Sequence, residues 1–288
     1  MEDSTLIVLN MKNKLQIFAT LVFVGYVAWW ASFQTALAEQ GLSVQRFSYI
    51  YGSMALLGAI VGLIASKKWG GYKTVIGKAL LFFSLGLLAQ EAGQLIYAYY
   101  IFVSHVDIPY PSWGDVAYFG SVLFYIAAAY FLTKVAGTRF SIKDIKYKAV
   151  AVVVPVVLLT ASYSLLLRGY EYDFSQPLTV FLDFGYPIGQ AIYVSIAITA
   201  YLLSRKLIGG VFKSGILFVI LALLLQYVAD SAFIYQSSRD SYISGGGVDL
   251  LYLVAYFAMA TAMIKFLNIY KGLRAGNKPD IKKAPEDV

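Results

Sequence analysis

The apolar positions of this chain form long uninterrupted runs, unlike the alternation of a half-buried strand or the single apolar stripe of a surface helix. A transmembrane helix needs about 20 mostly apolar residues. The eight runs of this kind are residues 15–38, 48–66, 76–103, 113–135, 149–167, 177–204, 214–236 and 248–268. The pattern therefore predicts an all-α integral membrane protein with eight transmembrane helices.

The segments between these runs are short, which predicts one membrane domain over residues 15–268. We expect a short N-terminal segment at 1–14 and a flexible basic tail at 269–288. The first run ends in Ala36-Leu37-Ala38, which matches the A-x-A site of a secretory signal peptide. The run is longer than the roughly 7–15 apolar residues of such signals. We therefore expect it to be retained, and cleavage after Ala38 would leave seven spans.

The composition agrees with a membrane protein. Hydrophobic residues make up 59% of the chain and charged residues 14%, whereas soluble domains carry about 25% charged residues. The absence of cysteine excludes disulfides and thiolate ligands, and His105 as the one histidine excludes a multi-histidine metal site. We expect no cofactor and no metal. Known hydrolase and phosphate-binding motifs are also missing, so we do not expect an enzyme.

The net charge of +7 is unevenly distributed along the chain. Only Arg46, Arg168 and Arg239 lie in segments on one side of the predicted spans, and the other 20 basic residues lie on the opposite side. Because cytoplasmic loops are rich in Lys and Arg, this distribution predicts a cell-membrane protein with both termini in the cytoplasm. The outer half then holds ten acidic and three basic residues. The excess of basic residues reflects topology, and we expect no nucleic acid as partner.

An internal repeat is visible in the third and fourth runs compared with the seventh and eighth. The aligned pairs are Gln90 with Gln226, Gln94 with Asp230, Tyr99 with Tyr235, Asp115 with Asp249 and Tyr118 with Tyr252. The pattern D-x-x-Y recurs in the sixth run, at Asp183 and Tyr186. We infer four helical hairpins that each close on the extracytoplasmic side.

The stretches PYPSWGDVAYFG and DFGYP resemble the multi-span membrane input domain that precedes diguanylate cyclases and histidine kinases in bacteria and archaea. The matching residues are Pro111, Ser112, Asp115, Tyr118, Asp183, Tyr186, Pro187, Asp249 and Tyr252. The resemblance covers roughly residues 76–268 and implies a repeated-hairpin fold and a sensor role. The sequence departs from the family after Tyr118, and we expect no output domain after residue 268.

Polar residues inside the spans indicate a pocket. An ionisable group within a span is costly unless it is paired, protonated or in contact with water. Helical spacing places several such residues on faces that point into the bundle. The predicted ligand-binding residues are Glu91, Gln94, Asp183, Tyr186, Gln190, Gln226 and Asp230. The residues predicted at the rim, or as helix caps, are Asp115, Tyr118, Asp249 and Tyr252.

A structural interpretation remains open for some of these residues. Ser112 and Asp115 have the spacing of a capping box, and Asp249 falls in the first turn of its helix, where a carboxylate complements the helix dipole. Each D-x-x-Y tyrosine could simply hydrogen-bond a neighbouring hairpin. Glu91 and Asp230 lie too far inside their runs to act as caps, so a functional role is the stronger interpretation for them.

Two functions of different class follow from this pattern. The first is a receptor-like sensor that binds a small molecule or cation from outside and signals to a cytoplasmic partner docked on the basic segment 134–148 and the tail. The second is a small proton- or cation-coupled transporter or channel. The inner halves of the spans are almost purely apolar, which favours the sensor. A membrane protein that binds no ligand is a third alternative.

Overall fold

The computed structural model describes residues 2–39, 41–106, 108–137, 145–164, 168, 173–204, 212–237, 239 and 241–274. These residues form α-helices and two short 3-10 turns but no strand, so the all-α fold class is confirmed for them. The helices are α1 Glu2–Ser32, α2 Leu42–Ile50, α3 Ser53–Lys68, α4 Val75–Phe102, α5 Trp113–Gly137, α6 Ile145–Ser162, α7 Pro177–Ser204, α8 Lys213–Ser237 and α9 Gly247–Arg274.

Seven helical stretches of the described residues are long and apolar enough to cross a membrane. They are Lys14–Ser32, Leu42–Lys68, Val75–Phe102, Trp113–Val135, Pro177–Leu202, Lys213–Ser237 and Gly247–Arg274. The chain is therefore a multi-pass helical membrane protein by the length and composition of its helices. The predicted span 149–167 corresponds to α6, whose apolar part Val152–Ser162 is shorter, and residues 165–167 lie outside the described part. The number of eight spans stays a prediction.

Several helix boundaries differ from the predicted ones. The helix of the first span begins at Glu2, so most of the predicted segment 1–14 is helical. The second span is divided at Tyr51 and Gly52 into α2 and α3. The last helix continues to Arg274, and the remainder of the predicted tail, residues 275–288, lies outside the described residues. Apolar runs mark only the lipid-spanning part of a helix, which is why α1 begins before its run and α9 ends after its run. At the other end of the first run, α1 stops at Ser32 and a 3-10 turn follows over Gln34–Glu39.

Six helices form a closed ring. In order around the ring, α3, α4, α5, α7, α8 and α9 each pack against the next, and α9 packs against α3. Helix α6 packs outside the ring on α7. Helix α1 packs mainly on α9, where the Phe23 and Phe257 rings stack with centroids 4.3 Å apart, and contacts α2 and α3 much less. The shorter α3 and the five longer helices of the ring surround one interior space.

The two ends of this ring are built differently. At the end where α4 begins and α5 ends, the interior is filled with fully buried apolar side chains, among them Phe83, Leu87, Leu223 and Met263. Glycine allows the helices to approach closely there, because a Cβ on Gly62 would overlap Ser84 Oγ and lie 2.9 Å from Met263 Sδ. This half of the bundle is therefore a closely packed apolar core.

We predict that Gly62→Ala destabilises the protein. The added methyl group must displace Ser84 and Met263, and overpacking of this kind costs about 1–3 kcal/mol. Each kcal/mol lowers the melting temperature by about 2–4 °C in a domain of this size. Gly120→Ala is the matched control, because no atom lies within 4 Å of its added Cβ. Thermal unfolding in detergent measures both variants, and equal melting temperatures would contradict the packing.

Candidate functional site

A cavity of about 620 Å³ lies at the opposite end of the ring, where α4 and α8 end and α5, α7 and α9 begin. Its described lining comes from α2, α4, α5, α7, α8 and α9, from Tyr51 between α2 and α3, and from the two segments that precede α5 and α9. The lining includes eleven tyrosines, which are Tyr49, Tyr51, Tyr97, Tyr110, Tyr118, Tyr125, Tyr186, Tyr193, Tyr242, Tyr252 and Tyr256. The volume is within the range of about 300–1,000 Å³ that is usual for small-molecule pockets.

The lining carries negative charge only. It includes the carboxyl groups of Asp115, Asp183, Asp230 and Asp249, and none of the described lining residues is Lys, Arg or His. The described arginine that follows α8, Arg239, stacks its guanidinium instead on the Tyr235 ring, 3.9 Å from the centroid. An enclosed site with one sign of charge and poorly polarisable walls concentrates that field. No described lining residue therefore offsets the charge of an ionised carboxyl group in this cavity.

The structure brings together most of the residues predicted for the site. Five of the predicted ligand-binding residues line the cavity, namely Gln94, Asp183, Tyr186, Gln226 and Asp230. The four residues predicted at the rim, Asp115, Tyr118, Asp249 and Tyr252, also belong to the lining. Glu91 and Gln190 are buried but are not among the described lining residues. Their roles in ligand binding stay predictions.

Asp115 acts in part as a helix cap. One of its oxygens accepts hydrogen bonds from the backbone N–H and the hydroxyl of Ser112, both at 2.7 Å. The other oxygen accepts from the Tyr97 hydroxyl at 3.1 Å. Tyr186 on α7 donates to the Asp115 carbonyl oxygen at 3.3 Å. The residue thus caps α5 and also joins it to α4 and α7.

Asp249 has an equivalent position at the start of α9. Its carboxylate accepts hydrogen bonds from the Gly245 N–H at 2.6 Å, the Tyr242 hydroxyl at 2.9 Å and the Ser48 hydroxyl at 3.0 Å. Three neutral donors from α2 and from the segment before α9 therefore converge on one buried carboxyl group. Both interpretations of Asp249 apply, because it shapes the start of its helix and also lines the cavity.

The two aligned halves make the same contact with different chemistry. On α5, the Tyr118 hydroxyl donates to Gln94 Oε1 on α4 at 2.9 Å. On α9, the Tyr252 hydroxyl donates to Asp230 Oδ1 on α8 at 2.7 Å. Tyr118 and Tyr252 therefore each bond the side chain at the corresponding position of the preceding helix, whereas Tyr186 bonds a backbone carbonyl. That side chain is a neutral amide in one half and a carboxyl group in the other.

Asp230 lies about two turns before the end of α8 and joins three helices. Besides Tyr252, it accepts a hydrogen bond from Gln190 Nε2 on α7. Gln226 Nε2, one turn earlier on α8, lies 3.1 and 3.2 Å from the two carboxyl oxygens. All of these donors are neutral, so they orient the carboxyl group without balancing its charge.

The floor of the cavity consists of buried tyrosines and an amide. Tyr256 donates to Gln90 Oε1 at 3.0 Å, and Gln90 Nε2 donates to the Ser121 hydroxyl at 2.7 Å. The Tyr125 and Tyr193 rings meet edge to face, with centroids 5.8 Å apart. Below them the lining gives way to the apolar core of the other half. The cavity is therefore closed at this end among the described residues.

Three buried polar atoms of the described residues have no hydrogen-bond partner. They are Glu91 Oε2, Tyr193 Oη and Gln226 Oε1. Tyr193 and Gln226 line the cavity and are 0% and 1% exposed. Glu91 Oε2 instead lies against the break between α2 and α3, where a Cβ on Gly52 would be 2.6 Å from it. Buried polar groups in proteins are nearly always satisfied, so unsatisfied ones at a cavity indicate a missing partner.

At the mouth, two tyrosines from connecting segments bond to the acids. Tyr110 donates to Asp183 at 2.6 Å, and Tyr242 donates to Asp249. Burial raises the pKa of the Tyr110 hydroxyl well above its ordinary value, and its hydrogen bond to Asp183 raises it further. Burial and the charge of Asp249 likewise raise the pKa of Tyr242. Both hydroxyls thus stay protonated and serve as donors at neutral pH.

Sequence reasoning missed the tyrosines of the floor. Tyr125 and Tyr193 each follow a predicted site tyrosine by seven residues, and Tyr256 follows Tyr252 by four. These spacings place each pair on one helix face, which is the signal that could have found them. The abundance of tyrosine, 24 residues in the chain, concealed that signal because tyrosine at a span end commonly anchors a helix in the membrane interface.

Comparisons with protein-family models, with curated proteins and with solved structures find no match for this chain. The resemblance to a membrane input domain therefore stays an expectation from the motif residues. The function has to be argued from the cavity, its charge and its hydrogen bonds.

We predict that Asp249→Ala destabilises the fold even without any ligand. The change leaves the Ser48 hydroxyl, the Tyr242 hydroxyl and the Gly245 N–H without their acceptor, and each buried unsatisfied group costs about 1–3 kcal/mol. Asp249→Asn retains one acceptor oxygen and should lose less. Glu39→Ala, at an exposed position, is the control and should unfold like the parent protein. Equal thermal unfolding of Asp249→Ala and the parent would contradict this role.

Proposed function

We propose that this chain is a receptor-like sensor of the cell membrane, which binds a small molecule or cation in a cavity open to the extracytoplasmic side and signals to a cytoplasmic partner. The observation that carries the proposal is the cavity of about 620 Å³ at one end of an otherwise apolar bundle. A polar interior surrounded by lipid is costly to maintain. Ligand binding would explain why the chain retains this costly polar interior.

The orientation rests on the basic residues. The described lysines at Lys67, Lys73, Lys78, Lys134 and Lys271 lie at the helix ends opposite the cavity. The positive-inside rule assigns that end to the cytoplasm, so the cavity faces outward. In this arrangement eight spans form four hairpins that close on the cavity side, and both termini are cytoplasmic. Comparable contacts of Tyr118 and Tyr252 support the repeat.

The closed floor favours a sensor over the alternative of a proton- or cation-coupled transporter. A transport path needs polar groups or space that continue to the other side of the membrane. Beneath the tyrosine floor the described interior contains Phe83, Leu87, Leu223 and Met259, all at most 1% exposed. This packing leaves a ligand in contact with one side of the membrane.

Transmission to the cytoplasm would use the ring helices themselves. Helices α4, α5, α8 and α9 each carry cavity residues near one end and basic residues near the other, such as Lys134 on α5 and Lys271 on α9. A shift of these helices on ligand binding therefore rearranges a positively charged surface. We propose that an acidic cytoplasmic partner docks there, on segment 134–148 and the basic tail.

Cysteine labelling tests the predicted topology. The chain contains no native cysteine, so only an introduced cysteine can react. Ser104→Cys, in the exposed segment after α4, should react with a membrane-impermeant maleimide on intact cells. Lys73→Cys, in the exposed turn before α4, should react only after the cells are permeabilised. The reverse pattern would overturn the proposed orientation and with it the outward cavity.

A second prediction separates a sensor from a transporter. Thr179→Cys lies in the cavity lining and should react from outside with a small impermeant methanethiosulfonate. Ser84→Cys, fully buried below the floor, should stay unreactive from either side. Proteoliposomes containing the chain should show no flux of protons or monovalent cations above protein-free vesicles. Labelling of the Ser84→Cys variant or a measurable flux would favour transport, and an unreactive Thr179→Cys variant would contradict the outward cavity.

A further inference from the structure

The lining of the cavity restricts the chemistry of its occupant. Resting on the proposed function, we propose that the ligand is an organic amine in its protonated form. Its ammonium group is held between the Asp230 carboxylate and Gln226 Oε1, and its apolar or aromatic body lies among the tyrosines.

The described lining of the cavity is acidic. Four carboxyl groups and no basic side chain line the cavity, and the donors bound to Asp115, Asp230 and Asp249 are hydroxyls, amides and backbone N–H groups. An anionic ligand would enter against this charge and would have no described counter-ion. A cationic ligand supplies the missing positive charge.

The aligned pair Gln94 and Asp230 indicates which carboxylate can bind the ammonium group, because its charge is not needed for the contact between helices. Both residues accept a hydrogen bond from a D-x-x-Y tyrosine on the next helix. Because the neutral Gln94 performs the structural role, that role needs no charge. The charge at Asp230 therefore serves another purpose. Asp115 and Asp249 differ from Asp230, since each also fixes a backbone N–H at a helix start.

The unsatisfied atoms indicate that the ligand donates hydrogen bonds. Gln226 Oε1 is an acceptor without a donor, and the Nε2 of the same amide bonds Asp230. This oxygen is itself buried, so the Gln226 side chain has to turn toward the cavity before an ammonium N–H donates to it and to the adjacent carboxylate. The buried Tyr193 hydroxyl, which also lacks a partner, offers a further polar contact. A quaternary ammonium has no N–H group, so a primary or secondary amine fits better.

The walls favour an organic cation over a metal ion. Among the described residues, no group of three or more acidic or histidine side chains lies close enough to hold a metal. The cavity is also far larger than a single ion, and tyrosine rings form much of its surface. Aromatic faces attract organic cations through the negative potential of the ring face. The same rings cover the apolar body of the ligand.

The test uses the full chain in lipid nanodiscs and matched sets of three probes that share a body and differ in the head group. The four bodies are 2-phenylethyl, 2-(4-hydroxyphenyl)ethyl, 2-(indol-3-yl)ethyl and hexyl. Binding of each body is measured for its amine, for its alcohol and for a carboxylate of similar length. Calorimetry and thermal unfolding report binding. At least one amine should bind at least tenfold more tightly than its alcohol, with no binding of the carboxylate. The N,N,N-trimethyl form of that amine should bind more weakly than the amine.

Variants then assign the contact. Asp230→Asn should weaken binding of the amine at least tenfold and leave its weak alcohol analogue unchanged. The variant should fold, because an amide makes the same tyrosine contact at Gln94. Gln226→Leu should also weaken the amine. Asp173→Asn removes the same charge from an exposed position and should bind like the parent protein.

Three outcomes would overturn the proposal of an amine ligand. They are equal binding of alcohol and amine, unchanged amine binding by a folded Asp230→Asn variant, and no binding by any amine of the set. Binding of Na⁺ or Ca²⁺ in place of the amines would also overturn it. In each of these cases the proposed function stands if the Thr179→Cys variant is labelled from outside and no flux is found. If that variant is not labelled, the proposed function fails whichever probe binds.

Discussion

The hydrogen-bond requirement of polar groups inside an apolar bundle is the constraint on which the rest of this structure depends. Lipid offers no partner to a carboxyl, amide or hydroxyl group, so each polar side chain of the spans has to find one inside the ring. Their donors and acceptors come from neighbouring helices: Ser48 bonds Asp249, Gln94 bonds Tyr118, and Gln190 bonds Asp230. The polar residues therefore fix how the helices lie against one another at the cavity end, as apolar packing does at the other end.

Tyrosine suits this arrangement because its ring and its hydroxyl serve different requirements. The rings of Tyr125, Tyr193 and Tyr256 fill space in the floor as large apolar groups. Two of their hydroxyls reach Met259 and Gln90, across the ring of helices. A phenylalanine would fill the same space but leave Gln90 without its donor. A shorter serine would leave a void. The cavity thus stays polar at its surface while its walls remain closely packed.

The sequence predicts the helical class and most of the cavity, because both follow from periodicity. Long apolar runs define the helices, and residues at i and i+4, such as Gln226 and Asp230, lie on one face. The sequence could not predict which faces meet. The placement of α1 on α9, the exclusion of α6 from the ring and the break at Gly52 all depend on contacts between distant segments. Glu91 illustrates the difference: its depth in the span was evident, yet it packs against Gly52 and is not part of the described lining.

In the proposed function Asp230 connects ligand binding to helix positions, because its carboxyl group bonds residues of α7, α8 and α9 at once. A ligand that takes a share of this carboxylate competes with Gln190 and Tyr252 for the same two oxygens. Binding therefore changes the free energy of contacts between three helices, and a ligand shifts a conformational equilibrium only through such differences. Two of these helices carry basic residues at their far ends, where Lys213 begins α8 and Lys271 lies in the last turn of α9. A change at one carboxyl group is thus connected through continuous helices to the opposite surface, which is the physical requirement for a sensor that needs no path through the membrane.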